Sequence, residues 1–169
     1  MSKSLIGWLR FDLEEGTGLS RALRLYFTSP GFNVVMLFRL SQLFGGFFSQ
    51  IVTYRNLRRN GAEISPHAKI GRGLRIGHPN GIVIGKHVVA GRNLTLFQHV
   101  TLGQIGGKYP RIGDNVRVYL GSSVLGDIVI GDNVVIGAHC LVQEDVASGT
   151  VVVASDTIQK SARGGRDTI

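Results

Sequence analysis

The sequence is poor in cysteine, proline and carboxylates, and its apolar stretches are all interrupted. A single thiol, Cys140, excludes a disulfide framework and a cysteine-built zinc site. Four prolines beside 24 glycines exclude collagen and a proline-rich linker, and suggest a repeat with a turn in each unit. Charged residues make up only 18% of the 169 positions and hydrophobic ones 43%, which excludes a disordered tail and fits one domain with a small appendage.

Nineteen Lys and Arg against eleven Asp and Glu leave a net charge of +8. Residues 1–62 hold eight of the cations and three of the anions, and residues 63–169 hold eleven and eight. No basic run alternates with stacking aromatics, so nucleic acid is not an expected partner. The densest cluster, Arg55, Arg58 and Arg59, reads as a solvated helix end, with attraction to an anionic substrate or lipid as the alternative. The start lacks a signal-peptide pattern, so the expected location is cytoplasmic, with a peripheral position at the inner face of the membrane left open. Phe32–Tyr54 approaches spanning length, but Arg39, the polar Ser41, Gln42, Ser49 and Gln50, and Gly45-Gly46 argue for a helix packed on a partner or lying on a membrane surface.

Two periodicities divide the chain. Before residue 62 the apolar spacing is helical: Leu5, Trp8, Leu9 and Leu13, then Leu19 to Phe27 as far as Ser29-Pro30-Gly31, then Val34 to Phe44 with a break at Gly45-Gly46. From Ile64 the period is six: Ile64, Ile70, Ile76, Ile82, Val88, Leu94 and Val100, then Ile112, Val118, Val124, Ile130, Ile136 and Val142. Neither a helix nor an alternating strand gives strict sixes. A coil of short flat strands joined by turns does, with one apolar side chain of each hexad inside. The expected organisation is a helical segment over 1–62, a coil over 63–147 with a loop at 103–110, and a tail over 148–169.

This pattern resembles the hexapeptide-repeat acyltransferases, which implies a left-handed parallel β-helix, a mainly β fold. Ala62 to His78, Gly81-Ile-Val-Ile-Gly85 and Leu94 to Gly103 resemble serine O-acetyltransferase and, equally, the sugar O-acetyltransferases of capsule and exopolysaccharide synthesis. The resemblance implies acetyl-CoA as co-substrate, a hydroxyl-bearing acceptor and a homotrimer with its sites between subunits. It places the catalytic histidine at His78 and an orienting carboxylate at Glu63, where serine acetyltransferases carry Asp. It places the pantetheine arm near Gly103, Gly121 and Ala138, with Leu120 where a small residue is usual. Acceptor contacts are expected from Lys108 and Tyr109 in the loop and from His99, which is also the second candidate base. A neutral imidazole can take the proton of a hydroxyl that attacks a thioester.

Two departures shape the expected acceptor. Gly77-His78 stands where serine acetyltransferases have Asp-His, and Lys108-Tyr109-Pro110 where they have Arg-His before the proline. The tail Val153-Ala-Ser-Asp-Thr157 also lacks the family's Gly-x-Pro-Ala turn. Without that Asp an ammonium group has no partner, so a saccharide hydroxyl is expected, on capsule, exopolysaccharide or lipid-linked sugar. Serine acetylation for cysteine synthesis and an inert scaffold are the alternatives. A metal enzyme on the same coil would need a close histidine pair, which His67, His78, His87, His99 and His139 do not provide, so no metal is expected. The N-terminal helices are expected to hold the trimer together or to touch a membrane surface.

Overall fold

The computed structural model describes residues 19–154. The helix expected around Leu5 to Leu13 and the chain beyond 154 lie outside the described residues. Three helices come first: α1 (Leu19–Thr28), α2 (Pro30–Leu43) and α3 (Gly46–Asn60). Ser29 separates the first two, its hydroxyl accepting the Phe32 amide at 3.4 Å, while Pro30 occupies the first turn, where its missing N–H has no role. Gly45-Gly46 breaks the long apolar stretch between α2 and α3. No helix among the described residues is long and apolar enough to cross a membrane.

From Glu63 the chain winds through short parallel strands on three faces, the expected parallel β-helix. The first coil is β1 (Glu63–Ile64), β2 (Lys69–Ile70) and β3 (Arg75–Ile76). The first face continues through β4 (Val83–Ile84), β7 (Thr101–Gly103), β10 (Ser123–Leu125) and β13 (Leu141–Val142). The second continues through β5 (Val89–Ala90), β8 (Arg111–Ile112) and β11 (Val129–Ile130). The third continues through β6 (Thr95–Leu96), β9 (Arg117–Val118), β12 (Val135–Ile136) and β14 (Val151–Val152). The coil therefore runs past the expected boundary at 147, because Val151–Val152 pairs with Val135–Ile136.

All the every-sixth positions are buried, but they belong to two tracks. Ile64, Ile70 and Ile76 point inward from β1 to β3. The inward residues of the next strands are Ile84, Ala90, Leu96 and Leu102, and Ile82, Val88, Leu94 and Val100 sit two residues ahead of them at the corners. The track switches because β3 and β4 are joined by two extra residues: Glu63 pairs with Val83, 20 positions on, whereas Val83 pairs with Thr101, 18 on. The loop after Gly103 stretches the next repeat to 22, since Thr101 pairs with Ser123. Each fully buried Ile, Leu or Val contributes about 1.5–3 kcal/mol through removal from water. At the second corner Asn93, Asn115 and Asn133 adopt left-handed φ near 58–59° and their amides hydrogen-bond in a ladder, 2.8 and 3.2 Å.

The first coil has no coil beneath it, and α2 covers that edge. Arg39, which is 2% exposed, donates from Nη1 to the Ile70 carbonyl at 2.9 Å and from Nη2 to the Gly71 carbonyl at 2.6 Å. Gln42 Nε2 donates to the Ala68 carbonyl at 2.9 Å. The approach is close enough at Gly31 that a Cβ there would collide with the Ile76 carbonyl oxygen. Buried backbone acceptors at a sheet edge need such donors.

Candidate functional site

The two-residue insertion is the corner Gly77-His78-Pro79-Asn80-Gly81, where the third face turns back to the first. The extra length lets this corner stand away from the coil, which explains why His78 is exposed while the every-sixth positions are inside. It faces the helices across a groove of about 630 Å³ lined by Tyr26, Phe27, Asn33, Arg59, Asn60, His78 and Asn80, among others. The groove floor is an amide network. Asn60 Nδ2 donates to Asn33 Oδ1 at 2.8 Å and to Asn56 Oδ1 at 2.9 Å, and Asn33 Nδ2 donates to the Tyr26 carbonyl at 3.0 Å. The Arg59 guanidinium lies 5.8 Å from the Tyr26 ring centre. Among the described lining residues there is no carboxylate.

The coils above continue this corner. The rings of Phe97 and Tyr119 stack at 4.8 Å, 9° from parallel. A Cβ at Gly77 would lie 3.0 Å from the Phe97 ring, so an aspartate at 77 would require that stacked ring to move. His99 is one coil above His78 at the same corner, with φ 58° and its amide on the Asn80 carbonyl at 2.8 Å. Its ring lies so close over Gly81 that a Cβ there would meet Nδ1. Gln98 buries its Oε1 with no hydrogen-bond partner among the described residues. Gly121 and Ala138 follow at the same corner on the next two coils.

Glu63 is exposed on β1, next to the place where this corner closes: the Gly81 amide donates to the Gly61 carbonyl at 2.8 Å. No hydrogen bond or ion pair joins Glu63 to His78. The loop residues lie elsewhere. Gly103, Lys108 and Tyr109 occupy the first corner, between the first and second faces, so one chain does not bring them to His78. Lys108 Nζ donates to Asp127 Oδ2 at 2.8 Å, and Arg111 lies 3.8 Å from the same carboxylate. The hydrogen bond from Lys108, and then its charge, hold the Asp127 carboxyl below its usual range. The half-buried Tyr109 ring meets His87 edge-on at 5.3 Å and covers Gly85.

Sequence reasoning singled out Arg59 only as part of a basic cluster and missed Asn33 and Asn60; none of the three belongs to a local motif with His78, and only the docking of the helices brings them to it. The one available signal was the polar positions 49, 56 and 60 at helical spacing within an otherwise apolar segment.

Residues 109–143 match the family model described as bacterial transferase hexapeptide (six repeats). A serine acetyltransferase of Helicobacter pylori is 38% identical over 134 residues, covering 75% of this chain and 78% of that protein. One of Staphylococcus epidermidis is 48% identical over 97 residues, 55% of this chain and 46% of that protein, so the match spans about half that relative's length. Among solved structures, Neisseria gonorrhoeae serine acetyltransferase in complex with serine superposes with a TM-score of 0.76 at 28% identity, over 90% of this chain and 68% of that one. Serine acetyltransferase isoform 3 of Entamoeba histolytica in complex with cysteine gives 0.76 and 28%, over 96% and 59%.

Proposed function

The chain belongs to the hexapeptide-repeat, left-handed β-helix acetyltransferase family, and on that premise we propose that it transfers an acetyl group from acetyl-CoA to an acceptor hydroxyl. The observation that carries this reading is His78, exposed on an inserted corner and facing a groove large enough for a small acceptor. His78 takes the hydroxyl proton, the oxygen attacks the thioester carbonyl, and the tetrahedral intermediate expels the CoA thiolate. The imidazolium returns the proton to that sulfur, leaving an O-acetyl ester and free CoA. Glu63, on the neighbouring strand, is the proposed carboxylate that stabilises the imidazolium once substrate is bound.

Serine is the acceptor favoured by the relatives, which are named for it. A saccharide hydroxyl is the second reading, favoured by the Phe97 ring over Gly77 and by the lack of a carboxylate for an ammonium group among the described lining residues. A homotrimer belongs to the proposal, because it would set the first corner of one chain, with Gly103, Lys108 and Tyr109, beside the third corner of another, with His78, Gly121 and Ala138. The test is thiol release from acetyl-CoA with serine and with polysaccharide acceptors, on the native chain and His78→Ala. Acceptor-dependent release that falls at least about a hundredfold in the variant supports the base assignment. Full activity in His78→Ala would overturn it.

A further inference from the structure

Helix α3 is inside out. The residues it buries are Ser49, Asn56 and Asn60. Its outer stripe, at spacings of four, three and four, is Phe47, Ile51, Tyr54 and Arg58, and the apolar three are 73%, 45% and 61% exposed. Phe48, 66% exposed, flanks the stripe and connects through ring contacts to Phe47 at 6.3 Å and Phe44 at 6.5 Å. An exposed aromatic surface of this kind on a water-facing helix marks an interaction site.

The charge around it selects the occupant. Residues 19–62 contain six arginines and no Asp, Glu or Lys. Arg39 is spent on the coil edge, and Arg55 and Arg58 are exposed on or beside the apolar stripe. A second copy docked through the same surface about a twofold axis would set arginine against arginine, and the described helices carry no carboxylate to offset them. An anionic bilayer surface satisfies both features at once: aromatic and aliphatic side chains enter the headgroup boundary and guanidinium groups meet lipid phosphates.

We propose that the outer face of α3, carried by Phe47, Phe48, Ile51 and Tyr54 with Arg55 and Arg58, docks the protein on an anionic membrane surface. The helix lies in the interface and does not cross it.

The test is sedimentation of the full-length protein with vesicles of phosphatidylcholine alone and of phosphatidylcholine mixed with phosphatidylglycerol. Binding is expected to the mixed vesicles, to weaken with added salt, and to be slight on phosphatidylcholine alone. Arg55→Gln with Arg58→Gln should lower partitioning about thirtyfold, from roughly fivefold per guanidinium at a charged surface. Phe47→Ser with Ile51→Ser should abolish it while the native sedimentation coefficient in solution is kept. Native protein remaining in the supernatant with mixed vesicles overturns the proposal. So does dissociation of an oligomer in the serine variant, which would make the stripe a contact between copies. Thiol release from acetyl-CoA is read separately, so loss of acetyl transfer and loss of docking are distinguishable.

Discussion

Replacing Arg39 by methionine tests how the coil is anchored. Methionine keeps the apolar stem that runs through the α2 contact and removes the charge-assisted bonds to the Ile70 and Gly71 carbonyls together with the longer one to Gln42 Oε1. Each orphaned buried acceptor costs about 1–3 kcal/mol, so two give roughly 2–6 kcal/mol. Relief from burying the guanidinium returns part of this. The expected net loss is about 3 kcal/mol, or a fall in Tm of roughly 6–12 °C for a chain of this size. The assay is urea unfolding at fixed protein concentration, so that any change in association does not enter. Amide exchange should locate the damage, with faster exchange over 63–76 and little change over 111–136. A loss below about 1 kcal/mol, or one spread evenly over the coils, would refute the idea that α2 caps an otherwise unsatisfied edge.

Further predictions concern the site. Glu63→Gln should lower acetyl transfer less than His78→Ala does, since it keeps hydrogen bonding and loses only the charge; equal losses would mean that the carboxylate itself takes part in proton transfer. Tyr109→Phe tests the phenol that stands where the family has a histidine: a large loss in kcat makes the hydroxyl part of the chemistry, and no loss leaves the ring as a wall over Gly85. Gly77→Asp should lower thermal stability by displacing the stacked Phe97 ring. Pairing it with Phe97→Leu should restore stability and raise the use of serine if the missing carboxylate is what limits it; unchanged serine kinetics would show that it does not. The Lys108–Asp127 pair depends on pH in a defined direction. Because the Asp127 carboxyl is held below its usual range, the tether is complete above the ordinary carboxylate pKa and lost as pH falls through the depressed value. Protection of the paired Ile105 and Lys108 amides, corrected for the intrinsic slowing of exchange in acid, should therefore fall as pH drops, and Asp127→Asn should remove that dependence.

The fold was legible because burial in a coil is periodic. Every hexad position from Ile64 to Val100 and from Ile112 to Val142 is inside, and the change from helical spacing near residue 62 coincides with the step from the last helix to the first strand. The two-residue insertion at His78 was hidden for the same reason. Ile82 and Ile84 are both apolar and both buried, so a count by sixes slides from strand position to corner position without a visible break. Within the candidate site, His78 and His99 share a corner and Lys108 and Tyr109 lie on another, the separation that a site between subunits presupposes; Asn33 and Asn60 were not legible, because only the docking of the helices brings them to the groove. Arg39 read only as an interruption in an apolar stretch, because its partners lie 31 and 32 positions away on a coil that the helical segment does not foreshadow.

The near-constant repeat also governs how the chain reaches this state. Parallel sheets usually fold slowly, since strands far apart in sequence must meet before either is stabilised. Here Glu63 meets Val83, Thr101 meets Ser123 and Arg117 meets Val135, so no coil-to-coil step closes a span longer than 22 residues. The closure entropy is nearly the same at each step, because it grows only with the logarithm of the span. A finished coil offers a ready edge to the next, and the chain can condense by accretion. The corner that carries His78 lengthens one such step by two residues, a change that adds little to the closure entropy and leaves the order of assembly unaltered.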